Sequence, residues 1–215
     1  MEDYVLEDLQ CKGLMIYQSR SGYRFTSDSV ALANYVKVKP NGVLVDLCSG
    51  SGVIGILANA KNRIRHVYLV ELQDGLAKAC AKTIEYNHLE NVSLIHNRAQ
   101  NVHKVLSGVG VDTVVCNPPY YTKDQKSRTR SVEQTVARHE IEITLEEVVI
   151  EASKILKDGG KFYICIKENR LADLIYLARK YKLEPKELKI LQEAKNDHVV
   201  LIKCIKGGVA GLKIV

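Results

Sequence analysis

The segment from Val43 to Gly55 restricts the fold of this chain more than any other. An apolar run, Val43-Leu44-Val45-Asp46-Leu47-Cys48, leads into Ser49-Gly50-Ser51-Gly52-Val53-Ile54-Gly55 and a helical stretch to about Ala60. The run reads as a buried strand, and the glycines after it read as a turn into a helix. Strand, glycine loop and helix in this order form a nucleotide-binding turn. Missing Cβ atoms let the backbone approach a ligand, and the helix N-terminus offers unpaired N–H groups and a positive dipole end. The next strand, His66-Val67-Tyr68-Leu69-Val70, ends at Glu71. That acid follows Gly50 by about 20 positions, the spacing of a carboxylate that grips ribose hydroxyls.

Gly50-x-Gly52-x-x-Gly55 also matches the fingerprint of nicotinamide enzymes, so an oxidoreductase has to be weighed. Asp46 argues against it. A dinucleotide fold gains nothing from a carboxylate inside the strand, whereas the ammonium end of an amino-acid cofactor does. The other reading of Asp46 is an acid that accepts backbone amides of the glycine loop, and both roles can coexist.

Further along, Val111-Asp112-Thr113-Val114-Val115-Cys116 is a second buried-strand run, closed by Asn117-Pro118-Pro119-Tyr120. Pro118 pushes Asn117 toward an extended backbone. Both prolines have fixed φ and no N–H, so the segment offers acceptors without competing donors. Tyr120 adds a flat π face with a polar tip. Together they make a cradle able to accept the hydrogens of a planar amino group and stack on its ring. Asn-Pro and Pro-Pro are also ordinary turn dipeptides, so the motif alone leaves both readings open.

Asp46-x-Cys48-x-Gly50-x-Gly52, Glu71 and Asn117-Pro118-Pro119-Tyr120 together resemble S-adenosylmethionine-dependent methyltransferases of the amino-group class. The stretches Tyr23-Arg24-Phe25-Thr26-Ser27-Asp28-Ser29, Ala137-Arg138-His139-Glu140 and Ile205-Lys206-Gly207-Gly208 narrow the resemblance. They are similar to bacterial tRNA1(Val) (adenine-N6)-methyltransferases, which modify the adenine beside the anticodon of a valine tRNA. The resemblance implies a class I, Rossmann-like, doubly wound and mostly parallel seven-stranded sheet with a C-terminal antiparallel hairpin. It implies Asn117, Pro118, Pro119 and Tyr120 as the catalytic cradle. It also implies a cofactor site built from Asp46, Cys48, Gly50, Gly52, Glu71, Asn97 and Asn117, with Thr26 and Asp28 nearby. Two positions depart from the pattern. Cys48 stands where such loops often carry glycine, and its backbone is expected to avoid positive φ. His96-Asn97-Arg98 lacks the aspartate that often meets the adenine amine of the cofactor, a part that only the amide oxygen of Asn97 can fill.

The rest of the chain is consistent with one α/β domain over residues 1–215. Strands at 43–48, 66–71, 92–96, 111–116 and 161–166 alternate with helices at 52–60, 74–88, 100–106 and 168–181. Residues 1–38 form an N-terminal extension and a helix from Ser27 or Asp28, in which Asp28 is either the N-cap or a cofactor contact. The short extended stretch Leu14-Met15-Ile16-Tyr17 has no evident partner. Thr144-x-x-Glu147 is a capping box whose helix should stop at Gly159-Gly160. Strands near 186–192 and 197–205, joined by a polar turn, read as the hairpin.

Residues 121–143 exceed the ~12–15 at which a structureless loop calls for a functional reason. They are expected to be mobile until substrate orders them. Lys123, Lys126, Arg128, Arg130 and Arg138 in this loop lie just past the cradle and are the candidate RNA contacts. The net charge of +6 is modest, so this placement matters more than the total. A second basic group, from Lys167 to Lys189, reads better as a solvated face.

Six cysteines without close pairing or metal spacing point to reduced thiols, a cytoplasmic setting and no metal centre. The acidic N-terminus is no signal peptide, and no apolar run approaches the ~20 residues of a membrane span. Protein partners cannot be read from the chain. Three rivals stand beside the tRNA reading: a release-factor glutamine methyltransferase, an amino-methyltransferase of ribosomal RNA or DNA, and a silent RNA-binding module on the same fold.

Overall fold

A computed structural model describes residues 4–118, 143–192 and 198–215. The N-terminal extension is a hairpin of β1 (Tyr4–Asp8) and β2 (Met15–Ser19), so the stretch around Ile16 finds its partner in β1. Then follow α1 (Ser27–Tyr35), β3 (Gly42–Leu47), α2 (Val53–Lys61), β4 (Ile64–Glu71), α3 (Asp74–Tyr86) and β5 (Val92–His96). A short α4 (Val102–Val105) leads to β6 (Val111–Cys116). The chain ends with α5 (Leu145–Ile155), β7 (Leu156–Lys167), α6 (Leu171–Lys180), β8 (Leu183–Gln192), β9 (His198–Lys206) and β10 (Lys213–Ile214).

The main sheet has the order β10-β8-β9-β7-β6-β3-β4-β5. From β7 to β5 all neighbours are parallel, while β9 runs antiparallel to both β7 and β8. The expected seven strands are thus joined by an eighth, the short β10, parallel to β8. Starting from β3, the chain first builds outward through β4 and β5, then returns to place β6 on the other side. The direction of winding therefore reverses at β3, and open α/β sheets hold ligands beyond the carboxyl ends of the strands at such a point.

Strand parity explains how helices cover both faces. Val43, Val45 and Leu47 pack with α4, α5 and α6, whereas Leu44 packs with α1, α2 and the hairpin residue Ile16. In β7 the same alternation sends Phe162, Ile164 and Ile166 one way and Tyr163 and Cys165 the other. Both faces are buried, which is why these strands read as unbroken apolar runs.

The hairpin is fastened to α3. Asn87 accepts the Met15 N–H at 2.9 Å and donates to the Met15 carbonyl at 2.7 Å. Thr83 Oγ1 accepts the Tyr17 N–H at 3.0 Å, and the Tyr17 ring meets Tyr86 edge-on.

Several boundaries move. Thr144 and Glu147 form the expected reciprocal cap, but the helix stops at Ile155 instead of at the glycines. Leu156 turns extended there, and β7 runs through Gly159 and Gly160 with its register against β6 shifting between Val111 and Thr113. Gly159, at φ 75°, supplies the left-handed residue that this irregularity needs. Asp28 is not an N-cap: Thr26 occupies that position and Asp28 lies in the first turn of α1. The polar turn between β8 and β9 falls outside the described residues.

Candidate functional site

Four strand ends meet at the reversal point. β3 and β6 are paired in register at Leu47 and Cys116, so the residues that follow, Cys48 to Gly52 and Asn117, leave the sheet side by side. The loop after β3 is held in a tight left-handed course by Cys48 at φ 57°, Gly50 at φ 58° and Gly52 at φ 87°. This corrects the expectation for Cys48, which adopts the conformation that glycine usually supplies. A non-glycine residue there costs on the order of 1–2 kcal/mol. One bond to β4 and one within the loop hold it: Ser49 N–H to Val70 O at 2.9 Å, and Gly52 N–H to Ser49 O at 2.8 Å.

Two acids support this loop from below. Glu71 Oε2 accepts the Gly50 N–H at 2.8 Å, while Oε1 accepts the N–H groups of Leu72 and Gln73 at 3.0 and 2.8 Å. Burial pushes the Glu71 carboxyl up from its ordinary value, and these three bonds pull it back toward ionisation. Asp46 is fully shielded, and its Oδ2 accepts the Gly55 N–H at 2.8 Å. Desolvation, only partly offset by that bond, pushes Asp46 up to about 8. Asp46 therefore takes up the amide-accepting role at the start of α2. On the far side, the Cys80 thiol donates to Gly50 O at 3.0 Å.

Above the loop lies an open cleft. Of the sequence-predicted residues, Cys48, Gly50, Glu71, Asn97 and Asn117 line it. Asp46, Gly52, Thr26 and Asp28 do not; Asp46 sits beneath the loop, Gly52 closes the loop as the N-cap of α2, and Thr26 and Asp28 stand at the start of α1. Pro118 is buried beside Asn117, whereas Pro119, Tyr120, Lys123, Lys126, Arg128, Arg130, Arg138 and His139 lie outside the described residues. Asn97 Oδ1 accepts the Arg98 N–H at 2.7 Å, so one of its acceptor positions is already engaged.

Sequence reasoning missed several wall residues. Tyr23 lies over the loop, and a Cβ added at Gly50 would stand 3.4 Å from its ring. Leu72, Gln73, Leu76, Ala99 and Gln100 complete the wall near Glu71 and Asn97. Gln73 carried a usable signal, because it follows the strand-ending acid by two positions. Tyr23 carried none beyond the stretch that contains it.

The polar atoms around the cleft are unusually incomplete. Among the described residues, Asp46 Oδ1, Ser51 Oγ, Gln73 Oε1 and Asn117 Oδ1 are shielded from solvent and have no hydrogen-bond partner. Shielded polar groups nearly always find partners, so orphans gathered at one place mark where a ligand completes the structure. A carboxylate on the glycine loop, a small apolar wall and spare acceptors fit a nucleoside joined to a cationic amino-acid end.

The second basic group behaves as a surface. Arg170 pairs with Asp173 at 3.1 Å, Arg179 with Glu184 at 3.2 Å and Lys180 with Glu146 at 2.8 Å. Cys11, Cys48, Cys80, Cys116, Cys165 and Cys204 are all thiols. Among the described residues no group of metal-ligating side chains is present, and no helix is long and apolar enough to cross a membrane.

Comparison with known proteins gives the family and the fold. A family model described as the methyltransferase small domain matches residues 21–182. A Shewanella frigidimarina protein named tRNA1(Val) (adenine(37)-N6)-methyltransferase is 25% identical over 188 residues, covering 85% of this chain and 70% of its own. A Porphyromonas gingivalis protein of the same name is 24% identical over 176 residues, covering 78% of this chain and 68% of its own. Among solved structures, M. jannaschii TYW2 in complex with AdoMet superimposes with a TM-score of 0.67 at 15% identity, covering 96% of this chain and 88% of that one. Methanocaldococcus jannaschii Trm5 in complex with adenosine gives 0.69 at 15% identity, covering 97% of this chain and 57% of that one. These two structures share the fold. With the match running from before Tyr23, through the glycine loop, Glu71 and Asn117, to beyond α6, the chain belongs to the methyltransferase small domain family.

Proposed function

We propose that the chain transfers the methyl group of S-adenosylmethionine to the N6 amine of an adenine in tRNA, at the position beside the anticodon of a valine tRNA. One observation carries the chemistry. Asn117 directly follows β6 at the wall of the cleft, with its Oδ1 shielded and without a hydrogen bond. An acceptor kept there, next to the glycine loop, suits an amino group as the methyl acceptor. The substrate rests on the names of the relatives at 24–25% identity, and a tRNA substrate carries with it a cytoplasmic setting.

The bound cofactor supplies an electrophilic methyl group on a positively charged sulfonium. The chain's own part is binding and orientation. Glu71 offers its remaining lone pairs to ribose hydroxyls, Gly50 lets the loop pass close, and Leu72, Leu76 and Ala99 give an apolar wall for a base. Asn97 and Gln73 provide amide oxygens beside that wall, and the Gln73 oxygen is the one without a partner. Asp46 holds the first turn of α2 and brings its unpartnered Oδ1 beneath the loop.

Adenine N6 is a weak nucleophile because its lone pair is delocalised into the ring. Asn117 Oδ1 and the Pro118 carbonyl, by accepting its two N–H bonds, draw electron density back to the nitrogen. No strong base is required before attack, because the proton turns acidic only as positive charge builds. Positioning and preorganised acceptors then lower the barrier. Tyr120 stacks on the base, and Lys123, Lys126, Arg128, Arg130 and Arg138 neutralise phosphates of the anticodon arm. An anticodon-loop base is already exposed, which reduces the extrusion cost of a few kcal/mol.

The test is methyl transfer from labelled S-adenosylmethionine to total tRNA lacking the modification, followed by nucleoside analysis. N6-methyladenosine mapped beside a valine anticodon supports the reading. Label in ribosomal RNA, DNA or a release factor instead would replace the substrate and keep the chemistry.

A further inference from the structure

We propose that Ser29 is the positioning residue that turns the Asn117 amide so that its oxygen, not its NH2 group, is offered to the methyl acceptor. The proposal rests on amine methylation as the reaction and extends it to a residue 88 positions away in the chain.

Asn117 Nδ2 donates to Ser29 Oγ at 2.9 Å. The other end of the same amide, Oδ1, is shielded and accepts nothing. An amide turned by 180° about its last torsion exchanges an acceptor for two donors. The amine of an adenine brings two donors and a delocalised lone pair. Set against the NH2 end of Asn117 it would meet donor against donor; set against Oδ1 it completes the missing hydrogen bond. Among the described residues Ser29 Oγ is the one hydrogen-bonding contact of the Asn117 side chain, and it accepts from the NH2 end, which leaves Oδ1 open to the methyl acceptor.

Ser29 is well placed to make that choice firmly. It is only 3% exposed and lies in the first turn of α1, where its N–H bonds to Thr26 O at 3.1 Å. One turn on, Leu32 and Ala33 are at 0% and 1% exposure and lock α1 into the core on the α2 side of the sheet. The hydroxyl is therefore mounted on a rigid helix and not on a loop. β6 carries the amide and α1 carries its anchor, so the acceptor is set before substrate arrives.

Two measurements test this. In nitrogen-15 spectra the Asn117 side-chain NH2 pair is assigned by its loss in Asn117→Asp. Slow exchange with water is expected in the wild type and in Ser29→Thr, and fast exchange in Ser29→Ala; unchanged shifts and exchange in Ser29→Ala would overturn the proposal. In single-turnover methylation at saturating RNA, Ser29→Ala should lose roughly 10- to 100-fold in rate, since the acceptor remains but is no longer held. Its cofactor Kd should stay within about threefold of wild type, and Ser29→Thr should recover most of the rate. An unchanged rate, or a loss matched by equal loss of cofactor affinity, would reduce Ser29 to a structural residue. If Ser29→Ala does not fold, Ser29→Cys, whose thiol is the poorer acceptor, takes its place with the same expected ordering. Failure of the wild type to methylate tRNA would instead sink the substrate reading, and the exchange measurement would still decide the role of Ser29.

Discussion

Glu71 Oε2 accepts the Gly50 N–H at 2.8 Å, so the acid at the end of β4 and the glycine loop after β3 form one rigid unit. Because Oε1 is occupied by the Leu72 and Gln73 amides, both carboxylate oxygens face backbone donors. A glutamine has one acceptor oxygen, and its NH2 must face a donor whichever way it turns. Glu71→Gln should therefore destabilise the protein by about 1–3 kcal/mol and weaken cofactor binding about tenfold or more. Thermal melting and calorimetric titration with S-adenosylmethionine check both. A variant that binds the cofactor as well as wild type would mean the carboxylate serves only the loop.

Asp46 makes stability depend on pH in an uncommon direction. Its carboxyl is fully buried and pushed up to about 8, against 3.8 for an ordinary aspartate. A group whose pKa is raised by folding contributes stability that is complete below the unfolded pKa and lost as pH climbs to the folded one. The window is therefore pH 4 to 8, and the difference between the two protonation states is worth up to about 5 kcal/mol across it. Asp46→Asn keeps an acceptor for the Gly55 N–H and cannot ionise. Its melting temperature, relative to wild type and without cofactor, should rise steadily from pH 5 to pH 8. A constant difference over that range would show that Asp46 is not held above its ordinary value.

The sequence and the structure agree best where one kind of force decides. β3, β4, β6 and β7 were legible because strands buried on both faces are dominated by apolar residues, so Asp46 stood out within its run. The Thr144–Glu147 cap was legible because its two bonds are local. What stayed hidden depends on long-range contact. The partner of the Ile16 strand is another short strand, and the α3 residues that fasten the hairpin, Thr83 and Asn87, are ordinary helix-end polar residues. Ser29 has no signature either, since its meaning comes only from Asn117 across the fold. The positive φ of Cys48 shows that a closed loop can overrule the preference of a single residue.

Gly55 offers a case in which helix propensity and packing oppose each other. It sits in α2, where alanine is ordinarily the better helix residue by about 1 kcal/mol. A Cβ there would collide with Leu69 Cδ2 and stand 3.1 Å from Val67 Cγ1, both in the rigid centre of β4. Overpacking of that kind costs about 1–3 kcal/mol, so packing prevails. Gly55→Ala should melt lower than wild type, and its cofactor affinity should fall because α2 is pushed away from the Gly55–Asp46 bond. Denaturant unfolding settles the sign; a stabilised variant would mean that Leu69 moves aside freely.

The hairpin should behave as a separately yielding unit. Asn87 makes two hydrogen bonds to Met15 and one to Thr83 O at 2.7 Å, bridging α3 and β2 with a single side chain. Asn87→Ala removes all of them at once and leaves partly buried backbone groups of Met15 unmet, at about 1–3 kcal/mol. Amide exchange in β1 and β2 should accelerate well before that of β3 or β6. Uniform acceleration throughout the sheet would show the hairpin to be part of the central cooperative unit.

Asn117→Ala separates binding from chemistry. The side chain lines the cleft, but its anchor is Ser29, and neither Glu71 nor the glycine loop bonds to it. Cofactor affinity should therefore stay within about threefold, since the groups that hold the cofactor are untouched. The rate of methyl transfer should drop on the order of 100- to 1,000-fold, the loss measured when a preorganised polar partner of the reacting atoms is removed. Single-turnover kinetics at saturating RNA, set beside calorimetry of cofactor binding, distinguish the two effects. If affinity and rate fell by equal factors, Asn117 would be supporting the cleft wall and the acceptor of the amine would have to be sought elsewhere.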